Sequence, residues 1–539
     1  MNRYRLIINS AISGVLLSMA WFEWCSGLVI LIAFVPLLWV EDHIYKNKYS
    51  ADKVFLYASI SFSLWNFITT WWIYNASPAG MFVAVLINTF LMSTVFWIFH
   101  FCKKIIGSRY GYFGLIVFWI SFEHFYLNAE ISWPWLNLGN AFAKDIRIVQ
   151  WYEYTGALGG TLWILIVNIL IYNILKSYLK YRNLKHDKSL IYIISALILI
   201  PVISSIYRFN TYKEEKKPYN IIIVQPNVDP YKKFVNYSHK QQTKMLLNIA
   251  KPYLNGSTDY IVCPETAITS YSDIEKLDKN YYLNIIRHFL VDYPKTKIIL
   301  GMTLLQNYYN KDEITPTAQQ YESSNIYYDT YNSAVQIDTS DYTQFYHKSM
   351  LVVGVEKMPY PKALKLLREL TLKLGGTFRS HGTQKERTNL VSPQDSIMVA
   401  PVICYENVFG KFVTDYIKKG ANFIFVITNE GWWGNTPGHR QLNHLSRLRA
   451  IETRRCVARS ANTGISSFIN QRGEILQFLG WWEQGALNGI LNANDRITFY
   501  VRYGDYIAGI AYFFAGIIII FTSIKYIINK NFKKIFNWK

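Results

Sequence analysis

The sequence predicts an α-helical membrane bundle of eight spans, with an α/β domain inserted between the seventh and the eighth. Three observations lead there. Residues 54–102 run 49 positions without one Asp, Glu, Lys or Arg. Hydrophobic residues make up 51% of the chain and charged residues only 17%, against about 25% in an ordinary globular protein. Residues 208–505 have a different texture, in which short β-rich runs alternate with amphipathic stretches of helical period. The 539 residues hold two or three domains, and a mean hydropathy of +0.08 fits apolar spans combined with one sizeable polar domain. The 17 Trp and 41 Tyr suit a membrane protein, which uses these rings as interfacial anchors.

No water-facing structure as long as 54–102 dispenses with charge, so that stretch holds two spans, hinged at Asn75-Ala76-Ser77-Pro78-Ala79-Gly80. Further charge-free stretches are 6–22, 24–40, 157–175, 189–207 and 506–524, with a shorter one at 110–122. Seven spans thus precede residue 208 and one follows residue 505. The first could instead be a cleaved signal peptide, but a second apolar stretch follows after one charged residue and no convincing cleavage site separates them. Lys and Arg gather on alternate connections. Eighteen lie on one set, which includes Lys46, Lys103, Lys104 and Lys176, and only Lys144 and Arg147 lie on the other. By the positive-inside rule both termini face the cytoplasm and the large domain lies outside. Much of the net charge of +20 is thereby a matter of topology, and a nucleic-acid partner is not expected. The outer connection 128–156 carries Trp133, Trp135 and Trp151, which read either as an aromatic belt or as the rim of a lipid-binding cavity. The expected domains are 1–207, 208–505, and 506–539 with its basic tail.

Within 208–505 the strand candidates are 219–225, 259–263, 296–301, 332–337, 396–404 and 422–428, and the helix candidates 240–254, 281–291, 407–419 and 439–458. Polar 307–330 reads as a long mobile loop. There is no Gly-rich phosphate loop. Five scattered Cys give neither a disulfide framework nor a CxxC metal site. Three apolar runs end at residues useful for acyl chemistry: Glu265 after Tyr-Ile-Val-Cys-Pro, Lys348 after a strand-like run, and Cys404 at the close of 396–404. Strand ends on one edge of an α/β sheet converge in a crevice, so the three can meet. Glu265 would take the thiol proton, while Lys348 favours the thiolate and steadies an oxyanion. Taken singly, Cys404 also reads as a buried apolar side chain, Glu265 as a helix-start acid and Lys348 as a surface lysine.

Pro264-Glu265-Thr266-Ala267, Tyr346-His347-Lys348 with Glu356 downstream, and Ile403-Cys404-Tyr405-Glu406 resemble, in order, the Glu-Lys-Cys motifs of the nitrilase (carbon-nitrogen hydrolase) superfamily. Within it, Thr428-Asn429-Glu430-Gly431-Trp432-Trp433-Gly434, the Arg447–Arg454 stretch and Ala461-Asn462-Thr463-Gly464 resemble the apolipoprotein N-acyltransferase family over essentially the whole chain. The departures are Cys263 where Trp is usual, Val353 where Pro is frequent, and Glu430-Gly431 for a usual Asp-Ala pair. They touch the acyl pocket and remove no catalytic group. Cys263 lies inside a strand and is expected to be structural.

The resemblance implies a nitrilase-like α-β-β-α sandwich on the periplasmic side of a bacterial inner membrane. It implies Cys404 as nucleophile, Glu265 as general base, Lys348 as oxyanion stabiliser and Glu356 as a second carboxylate that orients Lys348 or shuttles protons. The N–H of Tyr405 would complete the oxyanion hole, and Glu406, Trp432 and Trp433 would lie around the substrate. The implied reaction moves a fatty acyl chain from a phospholipid to the α-amino group of a diacylglyceryl-cysteine apolipoprotein, with no metal or organic cofactor and a monomeric enzyme. The basic, apolar stretch 361–374 is expected either as an interfacial lid or as a surface helix packed on the domain. Rival readings are a membrane-anchored amidase using water, and a transporter or sensor with an inactive domain. The near absence of ionisable residues within the spans speaks against transport.

Overall fold

The computed structural model describes residues 2–322, 324–358 and 380–536, so the 361–374 stretch lies outside the described residues. The chain forms two compact units. One comprises residues up to Trp71, Ala79–Asn210 and the chain from Tyr503 onward; the other comprises Trp72–Pro78 and Thr211–Arg502.

In the first unit the helices are α1 (Arg3–Met19), α2 (Val35–Lys46), α3 (Asp52–Thr70), α4 (Pro78–Ile106), α5 (Ser108–Asn128), α6 (Tyr152–Tyr181) and α7 (Lys188–Thr211), followed at the end of the chain by Tyr506–Phe536. Among the described residues, five helical stretches are long and apolar enough to cross a membrane: Gly27–Lys46, Pro78–Ile106, Tyr152–Tyr181, Leu184–Thr211 and Tyr506–Asn531. The stretch expected as one span at 24–40 is broken, with a 3-10 turn at Gly27–Ile32 leading into α2. Asn168 of α6 fills the break. Its amide donates to the Ile30 carbonyl (2.9 Å) and its oxygen accepts from the Phe34 N–H (2.8 Å), satisfying backbone groups the break frees. α1 and α3 touch through small residues: a Cβ on Gly14 would lie 2.5 Å from the Ser61 carbonyl oxygen.

Two expectations for this unit need correction. The helices do hold ionisable groups. Buried Glu41 accepts from His100 (2.6 Å) and Lys103 (2.6 Å), and Asp42 pairs with Lys46 (2.8 Å) and Lys176 (2.7 Å). Lys103, counted above as a loop cation, is therefore an internal partner; a buried charge persists when it is paired. The 128–156 connection is not a plain aromatic belt either. Trp135 is fully buried and stacked on Trp133 (centroids 5.4 Å apart), and Glu123 accepts from the Leu138 N–H (2.7 Å).

The second unit is an α-β-β-α sandwich. Its strands are β1 (Pro218–Gln225), β2 (Thr258–Val262), β3 (Ile268–Asp273), β4 (Lys297–Tyr308), β5 (Gln319–Gln320), β6 (Tyr327–Ile337), β7 (Gln344–His347), β8 (Leu390–Val391), β9 (Met398–Ile403), β10 (Phe423–Thr428), β11 (Val457–Ala461), β12 (Ser466–Ile469), β13 (Ile475–Leu479) and β14 (Gly485–Asn492). One sheet runs β14-β1-β2-β4-β6-β5, with β3 against β4 and β7 against β6; the other runs β13-β12-β11-β10-β9-β8. β1, β2 and β4 are parallel, as are β9, β10 and β11. Such central strands are buried on both faces, which is why Tyr219–Gln225 and Phe423–Thr428 read as continuous apolar runs. The sheets face each other through Tyr260 and Phe425, whose rings lie 5.3 Å apart.

Helices α8 (His239–Ala250) and α9 (Tyr281–Leu290) cover the first sheet, packing Leu246, Leu283 and Ile286 on Ile222, Ile261 and Ile298. Helices α10 (Gly410–Lys418) and α11 (Pro437–Thr453) cover the second. Of the polar stretch 307–330 expected as a mobile loop, the two ends belong to a β4–β6 hairpin paired from Ile298↔Ile337 to Tyr308↔Tyr327, and the chain between Tyr308 and Tyr327 is the loop, which carries β5. The helix expected to reach residue 458 stops at Thr453, because Arg454 takes the left-handed conformation (φ +52°) and the chain turns into β11. Segment Trp72–Pro78 belongs to this unit. The Trp72 ring lies 4.6 Å from that of Trp433, Asn75 donates to the Trp433 carbonyl (2.7 Å), and Gly438 leaves room for the Trp72 indole, 2.6 Å from where a Cβ would sit.

Candidate active site

Four strand ends build the site. β2 is prolonged by Cys263, whose N–H donates to the Ile299 carbonyl (2.7 Å), and the chain then turns at Pro264 to present Glu265. Gly301 on β4 permits this turn, since a Cβ there would lie 2.5 Å from the Thr266 nitrogen and 2.6 Å from the Glu265 Cα. β7 ends at His347, and the next residue, Lys348, is registered by its N–H to the Asn332 carbonyl of β6 (2.8 Å). β9 ends at Ile403, followed by Cys404 at φ +50°, a left-handed conformation that a residue with a Cβ rarely adopts. Such strain concentrates at functional positions. β10 ends at Thr428 and delivers the Asn429 N–H.

The polar side chains meet around one ammonium. Lys348 Nζ, 1% exposed, donates to Glu265 Oε1 (3.0 Å) and Glu356 Oε1 (2.8 Å). Asn332 Nδ2 donates to the same two oxygens at 2.7 and 3.1 Å, the Asn429 N–H to Glu265 Oε2 (3.1 Å), and the Val352 N–H to Glu356 Oε2 (2.8 Å). Burial would favour neutral Lys348, but the charges of Glu265, Glu356 and Cys404 hold its ammonium well above the ordinary lysine range. Burial also works against the Glu356 charge, and Lys348 overrides it, keeping that carboxyl below its usual value.

Cys404 is buried. Desolvation pushes its thiol up to about 12, Glu265 adds to the rise and Lys348 opposes it. The resting group is thus a thiol, and its ionisation must be coupled to proton transfer to a base. Of the neighbouring carboxylates Glu265 acts most strongly on it, and Glu265 is already oriented by three donors. Cys263 is 2% exposed in the apolar core between β2 and α8, and burial alone lifts its thiol far out of the working range.

The other expected residues do different things. Glu406 touches the chain around Lys348: Oε1 accepts from Tyr346 OH (2.7 Å) and the Ser349 N–H (2.7 Å), and Oε2 from the Ile403 N–H (2.9 Å). It is fully buried, which lifts its carboxyl to about 7 against these donors, and it ties the turn before Cys404 to the segment that carries Lys348. Tyr405 is buried with its ring edge-on to Phe409 (5.2 Å). Trp432 packs on Tyr231 (4.9 Å) and Trp433 on Trp72, on the loop that begins at Asn429. Asn332, Asn429 and a buried lysine, Lys233, were missed. Asn332 and Lys233 stand at unremarkable places in the sequence, Asn429 stands in the 428–434 motif but was given no role there, and only the fold brings them to Glu265 or Thr266. Among the described residues no group of three His, Cys, Asp or Glu side chains is arranged to hold a metal.

The family profile for carbon-nitrogen hydrolases matches residues 223–495, from within β1 to just past β14. The chain belongs to the carbon-nitrogen hydrolase family. The profile of the apolipoprotein N-acyltransferase N-terminal domain matches residues 13–170, within the apolar helices. A Chlorobaculum tepidum apolipoprotein N-acyltransferase is 26% identical over 504 residues, covering 92% of this chain and 91% of the relative. One from Geobacter metallireducens is 24% identical over 516 residues, covering 93% and 92%. Among solved structures, a carbon-nitrogen hydrolase superfamily protein from Xanthomonas campestris is 15% identical with a TM-score of 0.33, covering 51% of this chain and 90% of its own.

Proposed function

We propose that this chain is an apolipoprotein N-acyltransferase, moving a fatty acyl chain from a membrane phospholipid to the α-amino group of the N-terminal diacylglyceryl-cysteine of a lipoprotein. One observation carries the reading. A carbon-nitrogen hydrolase domain and an acyltransferase N-terminal domain occur in one chain, along which relatives of that name align over nine-tenths of their length.

In the first half-reaction Glu265 takes the Cys404 proton as sulfur attacks the phospholipid ester. Lys348 and the Tyr405 N–H steady the oxyanion, and the lysophospholipid leaves with the proton from Glu265. Glu356 and Asn332 hold Lys348 and Glu265 in register. In the second half-reaction the lipoprotein amine attacks the thioester, forming the amide and returning the thiol. The eight helices are read as spans, with both termini cytoplasmic, residues 208–505 periplasmic and the enzyme a monomer in the inner membrane. Trp432 and Trp433 are read as lining the acyl pocket.

The test is to supply phospholipid without an acceptor. A hydroxylamine-sensitive acyl group should appear on Cys404 with release of lysophospholipid, and it should pass to a diacylglyceryl-cysteine peptide as an amide. Release of free fatty acid with no amide product would mean a hydrolase and would reject the proposal.

A further inference from the structure

Lys233 lies in a short helical turn, Lys233–Asn236, just after β1, far from the Glu-Lys-Cys motifs in sequence. It is 2% exposed. Its ammonium nitrogen lies 3.3 Å from Thr266 Oγ1, and among the described residues it forms no ion pair. Buried lysines ordinarily sit against a carboxylate. Here the contact is a hydroxyl on the residue that follows Glu265. Thr266 is itself strained, a β-branched residue at φ +46°, and it is only partly buried.

Among the described residues Lys233 has one charged neighbour. Asp229, on its own turn, accepts from the Tyr231 N–H (2.9 Å) and faces Lys232 (3.8 Å). His239 of α8 is bonded to Thr269 (2.9 Å), and Gln242 of α8 grips the Lys233 carbonyl (3.0 Å). Burial favours the free amine and pushes the group down to about 7, and among the described residues Glu265 is the one charge that acts against this, favouring the ammonium.

The proposed reaction contains a proton that the triad does not absorb. An α-amino group, with a pKa of about 8, arrives mostly as an ammonium at neutral pH. To form the amide it loses two protons. Glu265 takes one as nitrogen attacks and returns it to sulfur when the C–S bond breaks. The other leaves the ammonium before attack and needs a separate acceptor.

We infer that Lys233, through the Thr266 hydroxyl, is the group that takes this first proton, so that the lipoprotein binds as an ammonium and is made nucleophilic in place. The neutral Lys233 amine becomes an ammonium, the C–N bond forms, the C–S bond breaks with the thiol restored, and Lys233 releases its proton to solvent. The inference rests on the acyltransferase reading above.

The experiment separates the half-reactions in the full-length enzyme in phospholipid vesicles. Lys233→Arg keeps the positive charge and cannot release it, and Lys233→Met removes it. Both should form the Cys404 thioester from phospholipid at the wild-type rate. Transfer to a diacylglyceryl-cysteine peptide should fall about tenfold below pH ~7 and recover as pH rises past the acceptor's own value near 8, because only the already neutral amine then reacts. Thr266→Val should show the same pattern. Hydroxylamine, neutral throughout this range, should cleave the thioester equally in all variants.

Equal losses in both half-reactions, or a transfer defect unchanged by pH and equal for peptide and hydroxylamine, would make Lys233 merely structural and overturn the inference. If Lys233→Met does not fold, Lys233→Arg carries the comparison. A wild-type enzyme that forms no thioester would instead overturn the acyltransferase reading.

Discussion

Replacing Lys348 with Met leaves two buried carboxylates facing each other without the cation between them. Lys348 Nζ stands 3.0 Å from Glu265 and 2.8 Å from Glu356, and both carboxyl groups share the one Asn332 amide. Removing one partner of a buried ion pair costs about 3–5 kcal/mol, because the charge left behind has no water. The loss of an oxyanion donor costs a further factor of about 10²–10³ in rate.

The stability cost depends on pH with a definite sign. In the wild type Glu356 titrates below its unfolded value, so its contribution is present above an unfolded pKa of about 4.3 and is lost as pH falls through the lower folded value. In Lys348→Met, only the Val352 N–H and the Asn332 amide still oppose burial, and the folded pKa is expected to lie above the unfolded one. That variant is then most stable below pH ~4.3 and loses stability as pH rises from there. The deficit relative to wild type should therefore be large at pH ~7 and shrink below pH ~4.5, and adding Glu356→Gln should restore part of it at neutral pH. Thermal unfolding of the detergent-solubilised enzymes at the two pH values reads this directly. A deficit independent of pH, or one made worse by Glu356→Gln, would refute the charge reasoning.

Gly301→Ala should displace the Glu265 turn, since the clash is with backbone atoms that have no rotamer to change. Thioester formation should fall about 10²-fold with little change in donor KM, and near-normal turnover would contradict the packing. Glu406→Gln puts an amide N–H against one of the N–H groups now donating to the carboxylate, at about 1–3 kcal/mol for the donor left unsatisfied; a lowered melting temperature with weakened activity is expected, and wild-type stability would reject the bracing role. Cys263→Ala should keep its acyl transfer and Cys404→Ala should lose it, as followed by amide product on the acceptor peptide. A reporter active only outside the cytoplasm should work when fused after Arg208 and fail after Lys530, and equal activity at both would remove the eight-span topology.

The central strands were legible in the sequence because burial on both faces writes them as unbroken apolar runs, and Glu265, Lys348 and Cys404 stood out because each stops such a run. Their convergence does not come from one sheet edge, as the sequence suggested: β2 and β7 bring Glu265 and Lys348 from one sheet, and β9 brings Cys404 from the sheet facing it. The exception among the central strands is β11, whose start was read as the end of a helix, and the strands after it were not legible either. Ser466–Ile469 and Gly485–Asn492 are short, mix polar with apolar residues, and owe their pairing to partners far away in the chain. Asn332 and Lys233 escaped for a related reason: a lone amide or lysine carries no pattern, and its meaning lies in the carboxylate or hydroxyl that the fold sets beside it. The buried pair of Glu41 and Lys103 was misread because charges next to an apolar stretch look like its ends, whereas here they turn inward and neutralise each other.

The segment Trp72–Pro78 has a consequence for how this protein is made. It is translated well before Thr211, yet the Trp72 indole fills the space over Gly438 and Asn75 holds the Trp433 carbonyl. The catalytic fold is therefore not a continuous stretch of gene. A fragment spanning Thr211–Arg502 alone would leave the Trp433 loop without its indole partner and a hollow above Gly438. Any shuffling or excision of this domain has to carry along seven residues from a distant turn, and its final packing waits on a piece of chain that emerged from the ribosome long before the rest.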